Sequence, residues 1–320
     1  MTGSLILFLG FISAFIVVFL STPSLIKVAK LKHLVDEPKE QRKMHGWSIP
    51  TIGGIVIFGS VIFSYALWFP EKYNHIPQML TNFKALTACL IILFFVGIKD
   101  DIIGTAPAKK LIAHFIVGFI LVIMADIRID DMHGIFGIFQ KLDLWQSYLL
   151  SFFVYIVIIN SINLIDGLDG LAGSISIAVF LGLLAVNINL GNLFFIINIS
   201  ALLGSSFAFL KFNINPAQIL MGDGGSYFLG FYLASLTLLT FSDYEFGTNI
   251  FLAFLILLLP ISDMFFIILN RLKNKQSIFK PDKSHIHHRL LNIGFSSNQT
   301  LLVIFSINQF FVFLTLYFSL

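Results

Sequence analysis

SYLLSFFVYIVIINSINLIDGLDGLAGSISIAVFLGLLAVN, residues 147–187, is two apolar runs joined by the acidic turn NLIDGLDG at 163–170. Each run approaches the roughly 20 apolar residues with which an α-helix crosses a bilayer. The pattern recurs on both sides: apolar runs occupy 4–23, 51–69, 83–98 and 109–126 before it, and 192–210, 226–241, 249–270 and 299–320 after it. With 147–162 and 171–187 these make ten candidate spans. The predicted fold is therefore all-α, a polytopic integral membrane bundle of about ten transmembrane helices. Composition agrees, with 57% hydrophobic and only 12% charged residues, against about 25% charged in a soluble domain. Residues 1–320 read as one integral membrane domain with no appended soluble domain, no internal repeat and no low-complexity linker. The first run has no preceding Lys or Arg and no small-residue cleavage site, so it is expected to be a retained span and not a removed signal peptide. The 37 Phe residues read as lipid-facing filler. Cys89, the only cysteine, lies in an apolar run and can form neither an intrachain disulfide nor a thiolate metal site.

Basic residues orient the bundle. The odd-numbered connections hold 6, 3, 0, 1 and 6 Lys and Arg, the 3 being Lys99 with Lys109 and Lys110 at the start of the next run, and the even-numbered ones hold 1, 2, 0 and 0. The positive-inside rule then places the odd loops, about 24–50, 99–108, 163–170, 211–225 and 271–298, in the cytosol and both termini outside. On the outer side the longest connection, near 127–142, is expected to be a short extracytoplasmic hairpin, because Ile127 and Ile129 alternate with polar residues before a His133-Gly134 turn. Its expected role is structural.

All the concentrated polar chemistry falls on the odd loops: KDDIIG (99–104), NLIDGLDG (163–170), MGDGGS (221–226) and HIHHR (285–289). Ionisable groups near a bilayer are costly, so acids gathered this way call for a purpose beyond solubility, and metal-assisted phosphate chemistry fits best. Asp100 and Asp101 are adjacent at a helix end and diverge by about 100°, so they are not a matched pair for one ion. One is expected to meet metal or phosphate and the other to hold a neighbouring base; the plain alternative is a solvated helix end helped by Lys99, Lys109 and Lys110. Asn163, Asp166 and Gly170 share one helical face if the fifth span runs on, with Gly167 and Gly170 allowing close approach. Asp169 is expected in part to cap the sixth helix. Asp223, among Gly222, Gly224 and Gly225 at the start of an apolar run, is the candidate Mg²⁺ ligand, at a helix start that favours phosphate. His285, His288 and Arg289 share a helical face suited to a diphosphate, while His287 points elsewhere. Zinc is the rival for the histidines, and it lacks both a cysteine and a good H-x₃-H spacing; a basic loop that binds lipid headgroups is the plain alternative.

The order and spacing of DEPKEQRKMHGWSIPTIGG, KDDIIG, NLIDGLDGLAG, FNINPAQILMGDGGSYFLG and PDKSHIHHRL resemble the polyprenyl-phosphate N-acetylhexosamine-1-phosphate transferase superfamily over residues 36–291. The resemblance implies transfer of a sugar-1-phosphate from a UDP-sugar to a polyprenyl phosphate, with Mg²⁺ as cofactor, Mn²⁺ as the alternative ion, and release of UMP. By motif, Asp100 and Asp101 match the acidic pair, and Asn163, Asp166 and Asp169 match the central acidic loop. Asp223 matches the metal-binding aspartate, with Asp100 as a second metal contact. His285, His287 and His288 match the histidine loop, and Asn213 falls where relatives contact the uracil. Lys43, His45, Asp263 and Arg289 are further substrate-binding candidates, with Lys43 and Arg289 as anion clamps and Asp263 near the sugar. HIHH differs from the three consecutive histidines typical of the peptidoglycan branch. Its flanks are similar instead to enzymes that start O-antigen, enterobacterial common antigen or teichoic acid synthesis, which makes N-acetylglucosamine-1-phosphate the leading group and undecaprenyl phosphate its acceptor. Leu220 is a departure, standing where many relatives carry an aromatic that covers the base. The alternative within the superfamily is the phospho-MurNAc-pentapeptide transferase of peptidoglycan synthesis. From another class, a secondary transporter would keep its acids near the midplane on broken helices, whereas most acids here gather at one membrane surface; a non-catalytic scaffold would show degraded motifs. The implied setting is a bacterial inner membrane, with the bilayer and a second copy of the chain as partners and no nucleic acid.

Overall fold

Inside a bilayer each backbone N–H and C=O must be satisfied internally, and long apolar runs answer by forming helices. The structure, a computed structural model, describes residues 3–36, 48–68, 77–138, 140–242, 249–277 and 284–320. Every predicted run is helical there. The helices are α1 (Gly3–Leu31), α2 (Gly54–Trp68), α3 (Pro77–Ile103), α4 (Pro107–Phe119), α5 (Leu144–Ile165) and α6 (Leu171–Asn189). They continue with α7 (Leu193–Asn213), α8 (Gly222–Phe241), α9 (Ile250–Ile256), α10 (Leu258–Lys273), the short α11 (Ile286–Asn292) and α12 (Ser297–Ser319). Among the described residues seven helices are long and apolar enough to cross a membrane, and the α9–α10 pair, bent by 73°, makes an eighth. At 15 residues α2 is shorter, and the apolar stretch of α3 lies between Lys84 and Lys99. The protein is a multi-pass, all-α membrane bundle.

Several boundaries differ from the sequence reading for identifiable reasons. Pro23 does not stop α1, which runs eight residues further to Leu31; a proline removes one ladder bond, and beyond it Ala29 is fully buried against the bundle. The ninth span breaks at Leu257, three residues before Pro260, which has no N–H to donate in the first turn of α10. α4 closes with a π-helical turn at Ile120–Met124. Among the described residues the expected outer hairpin shows one antiparallel bridge, Asp131 with Lys141, around a 3₁₀ turn at Ile135–Gly137. Its alternating isoleucines are used differently: Ile127 and Ile129 are buried, and the backbone of Ile129 bonds to Ser147 and Ser151 on α5. The segment docks on a helix, so its alternation does not build a ladder. Elsewhere β1 (Val35–Asp36) and β2 (Ile49–Pro50) form a two-residue antiparallel ladder.

At the centre stands α8, almost entirely buried and packed against α2, α3, α5, α6 and α9. Glycines allow its closest contacts. A Cβ on Gly97 of α3 would lie 2.4 Å from Gly224 Cα, and one on Gly54 of α2 would lie 2.3 Å from the Gly225 nitrogen. The glycine triple around Asp223 thus lets three helix ends converge, and the turn at Gly222 needs glycine for its φ of 70°. Residues 50–54 are zipped to the turn before α8 by Leu220 N–H to Pro50 O, Gly53 N–H to Leu220 O and Gly54 N–H to Met221 O. Two of the sequence motifs are thereby fixed side by side.

Candidate active site

Four helix ends meet at one face of the bundle: the C-terminal ends of α3 and α5 and the N-terminal ends of α4 and α8. Because α3 extends to Ile103, Asp100 and Asp101 lie on its last turns and diverge as their spacing requires. Asp100 Oδ2 accepts from Lys110 Nζ at 2.5 Å, and the same ammonium donates to Asp223 Oδ2 at 2.8 Å. The other oxygen of Asp223 accepts from Asn163 Nδ2 at 2.8 Å, and Asn163 also donates to Ser226 Oγ at 2.9 Å. Asp100, Lys110, Asn163 and Asp223 therefore form one half-buried cluster of alternating charge.

Asp101 turns the other way. Its Oδ1 and Oδ2 accept the backbone N–H groups of Asp223 and Gly224 at 2.7 and 3.0 Å. A carboxylate here satisfies the free donors of α8 and complements its dipole. The helix start expected to receive a substrate phosphate is thus already filled by the protein's own anion, and what Asp101 holds is backbone, not a neighbouring base.

The central loop divides as well. α5 ends at Ile165, so Asn163 is helical but Asp166 is the C-cap, with ψ of 43°, and Gly170 leaves the face the three were expected to share. Enclosure by the surrounding protein, followed by the charges of Asp223, Asp101 and Asp169, holds the Asp166 carboxyl well above the usual range. Asp169 stands one residue before Gly170, the N-cap of α6, and its Oδ2 accepts Ala217 N–H at 3.0 Å. Asn213 is 2% exposed, accepting Gly170 N–H and donating to Ile219 O. Its amide braces the 214–221 connection against the central loop.

The histidine loop is also rearranged. His285 is the N-cap of α11, and its Nδ1 lies 3.0 Å from Asp263 Oδ2, whose other oxygen accepts Ile286 N–H at 2.9 Å. Asp263 therefore anchors the loop to α10. His287, expected to point away, is the residue turned inward: it is 1% exposed and packs against Gly167, where a Cβ would come within 2.6 Å of Nε2. Neither of its ring nitrogens has a partner among the described residues. Burial, then the charges of His288 and His285, hold its pKa down at about 3. His287 stacks on His285 and is tilted against His288, with centroids 5.3 and 4.3 Å apart. Arg289 is exposed with its guanidinium 4.9 Å above the Phe266 ring. His285 is held through Nδ1 by Asp263, while Arg289 lies over Phe266. Lys43 and His45 lie outside the described residues.

The residue that sequence reasoning missed is Lys110. It read as one of several lysines easing a solvated helix end, and the available signal was its place in the first turns of α4, where a cation opposes the helix dipole and so needs another partner.

Residues 83–241 match the family described as Glycosyl transferase family 4. A protein of Bacillus subtilis (strain 168) described as a probable undecaprenyl-phosphate N-acetylglucosaminyl 1-phosphate transferase is 34% identical over 304 residues, covering 94% of this chain and 82% of its own length. Undecaprenyl-phosphate alpha-N-acetylglucosaminyl 1-phosphate transferases of Yersinia pestis and Escherichia coli (strain K12) are 28% and 27% identical over 282 residues. Each alignment covers 87% of this chain, and 75% and 74% of those relatives.

Proposed function

Because the chain belongs to glycosyl transferase family 4, in the undecaprenyl-phosphate N-acetylglucosaminyl 1-phosphate transferase branch, we propose that it moves N-acetylglucosamine-1-phosphate from UDP-N-acetylglucosamine to undecaprenyl phosphate, releasing UMP. The product would start a lipid-linked cell-surface polysaccharide of O-antigen, common-antigen or teichoic-acid type. The observation that carries this reading is the meeting of Asp100, Lys110, Asn163 and Asp223 at one end of four helices. A water-soluble nucleotide sugar and a phosphate on a membrane-embedded tail can reach one another only at such a boundary.

Asp100 and Asp223 supply two adjacent carboxylates beside the Asn163 amide, a set of hard oxygen donors that fits Mg²⁺. Among the described residues no three His, Cys, Asp or Glu side chains gather as a metal cluster. That suits Mg²⁺, which binds through one or two carboxylates together with substrate phosphates. Bound there, the ion would neutralise the diphosphate and orient it for in-line displacement at the β-phosphorus. The remaining work falls to the chain. Asp101 fixes the start of α8 and so the bearing of Asp223; Asn163 holds the Asp223 carboxylate in one rotamer; Lys110 supplies a mobile positive charge. His287 closes the histidine loop over Gly167. Asp100 acts by position and not as a base, because a phosphate monoester with a second pKa of about 6 is already mostly dianionic at neutral pH.

The test is purified protein with UDP-N-acetylglucosamine, undecaprenyl phosphate and Mg²⁺, read as UMP release and a lipid-linked sugar. Turnover that EDTA abolishes, with no use of UDP-MurNAc-pentapeptide, is the expected result. Efficient use of the pentapeptide donor would move the protein to the peptidoglycan branch, and no UMP from either donor would sink the proposal.

A further inference from the structure

A divalent cation at Asp100 and Asp223 meets a competitor already in place. Lys110 Nζ donates to one oxygen of each carboxylate, at 2.5 and 2.8 Å, so an ammonium fills the cation position between them. The arrangement is braced on the far side by Asn163, which takes the other Asp223 oxygen. Lys110 has no comparable support from its own helix. It lies in the first turns of α4, where the backbone dipole repels a cation, and the carboxylates are what hold it.

We propose that Lys110 is an internal counter-ion that makes metal loading depend on the diphosphate, an inference that rests on the reading of Asp100 and Asp223 as the Mg²⁺ carboxylates. A divalent ion taking these carboxylates must displace the ammonium and break two charge-assisted bonds. With metal alone, Lys110 becomes an unpaired, half-buried cation beside a divalent one, which is costly. When a diphosphate arrives with the metal, the ammonium has a new anion to receive it. Lysine suits this exchange better than arginine would, because its compact charge rides on a flexible four-carbon stem and is not tied to a planar fork. Metal and diphosphate must then raise one another's affinity by the same factor. Neither would load fully alone, which keeps the carboxylates from holding a metal when no donor sugar is present.

The test needs no turnover. Mn²⁺ serves as the paramagnetic probe, UDP as a non-reacting diphosphate, and the detergent-solubilised full chain as receptor, with a protein-free blank to remove Mn²⁺–UDP association. The native protein should bind Mn²⁺ weakly alone and about tenfold tighter or more with UDP, within the usual span of coupling between ligands. Lys110→Gln should bind Mn²⁺ alone about tenfold tighter than the native chain and lose most of the UDP enhancement. Lys110→Met is the second neutral variant, so that either one recovered with a cooperative melt decides the matter. A neutral variant that binds Mn²⁺ alone no tighter than native, or that keeps the full UDP enhancement, would overturn the proposal. If native and variant both melt cooperatively and neither binds Mn²⁺ with or without UDP, the assignment of the metal carboxylates fails, and the coupling with it.

Discussion

Neighbouring residues on a helix point about 100° apart, and Asp100 and Asp101 use that divergence to serve different partners, an ammonium and a helix start. Their substitutions should therefore separate. Asp101→Asn keeps one acceptor and loses the negative charge at the α8 amides, so it should cost about 1–2 kcal/mol and lower the melting midpoint along with activity. Asp223→Asn should leave the melt near native and lower turnover by about 10²-fold or more, with weakened Mg²⁺ dependence; a fully active or unfolded variant would refute the ligand role. If Asp100 acts by position, the defect of Asp100→Asn should stay nearly constant from about pH 6 to 9, and a defect that fades as pH rises would restore a general base. His287 makes a prediction of stability. Its folded pKa is held at about 3, below an unfolded value of about 6.5. Stability from its neutral burial is present above pH 6.5 and is lost as pH falls toward 3, by about 2 kcal/mol between pH 7 and 5. His287→Phe should flatten that part of the curve, as read by melts at each pH. The divergence of the acidic pair was legible in sequence because adjacency fixes it. The bracing roles of Asn213, Asp169 and Asp263 were not, since each partner is a backbone group or side chain remote in sequence, and nothing local signals it.

Among the elements, the approach of α3 and α2 to α8 depends on glycines facing glycines. In sequence the triple around Asp223 reads as a turn at a helix start that favours anions; only the assembled bundle reveals Gly97 and Gly54 as the opposing surfaces. Gly97→Ala would bring a Cβ within 2.4 Å of Gly224 Cα, and backbone cannot yield there as a side-chain tip could. α3 must shift from α8, lengthening both Asp101 bonds, so overpacking should cost about 1–3 kcal/mol and remove activity out of proportion to stability. Gly59→Ala on α2 is the matched control, with nothing within 4 Å of its added Cβ and a helix propensity gain of under about 1 kcal/mol expected. Equal melting losses for both variants would show that helix approach is not the reason for glycine at Gly97. The break between α9 and α10 was half legible. Pro260 marks the region, while Leu257, where the chain turns, is an ordinary apolar residue whose non-helical backbone is set by the packing on either side.

For the molecule as a whole, the ten runs were legible because a bilayer imposes one length and one polarity on every span. The sixteen to three division of Lys and Arg predicts an orientation, and the bundle adds an independent constraint. If successive spans alternate in direction, the C-terminal ends of α3 and α5 and the N-terminal ends of α4 and α8 must share one face, and these are the ends that bring Asp100, Asn163, Lys110 and Asp223 together. The Asp263–His285 anchor joins the histidine loop, and with it the start of α12, to the C-terminal half of the ninth span. An odd number of crossings then separates Gln276 from Leu320. We therefore expect a reporter inserted at Gln276 to be cytosolic, and reporters in the Gly191–Asn192 turn and after Leu320 to be extracytoplasmic. Thiol labelling of single cysteines at those positions in intact cells, in a Cys89→Ser background, reads the same division. Protection at Gln276 together with labelling at the other two supports it. A label at Gln276 from outside would put the carboxylate cluster on the face that lacks a supply of nucleotide sugar, and the proposed reaction could not run there.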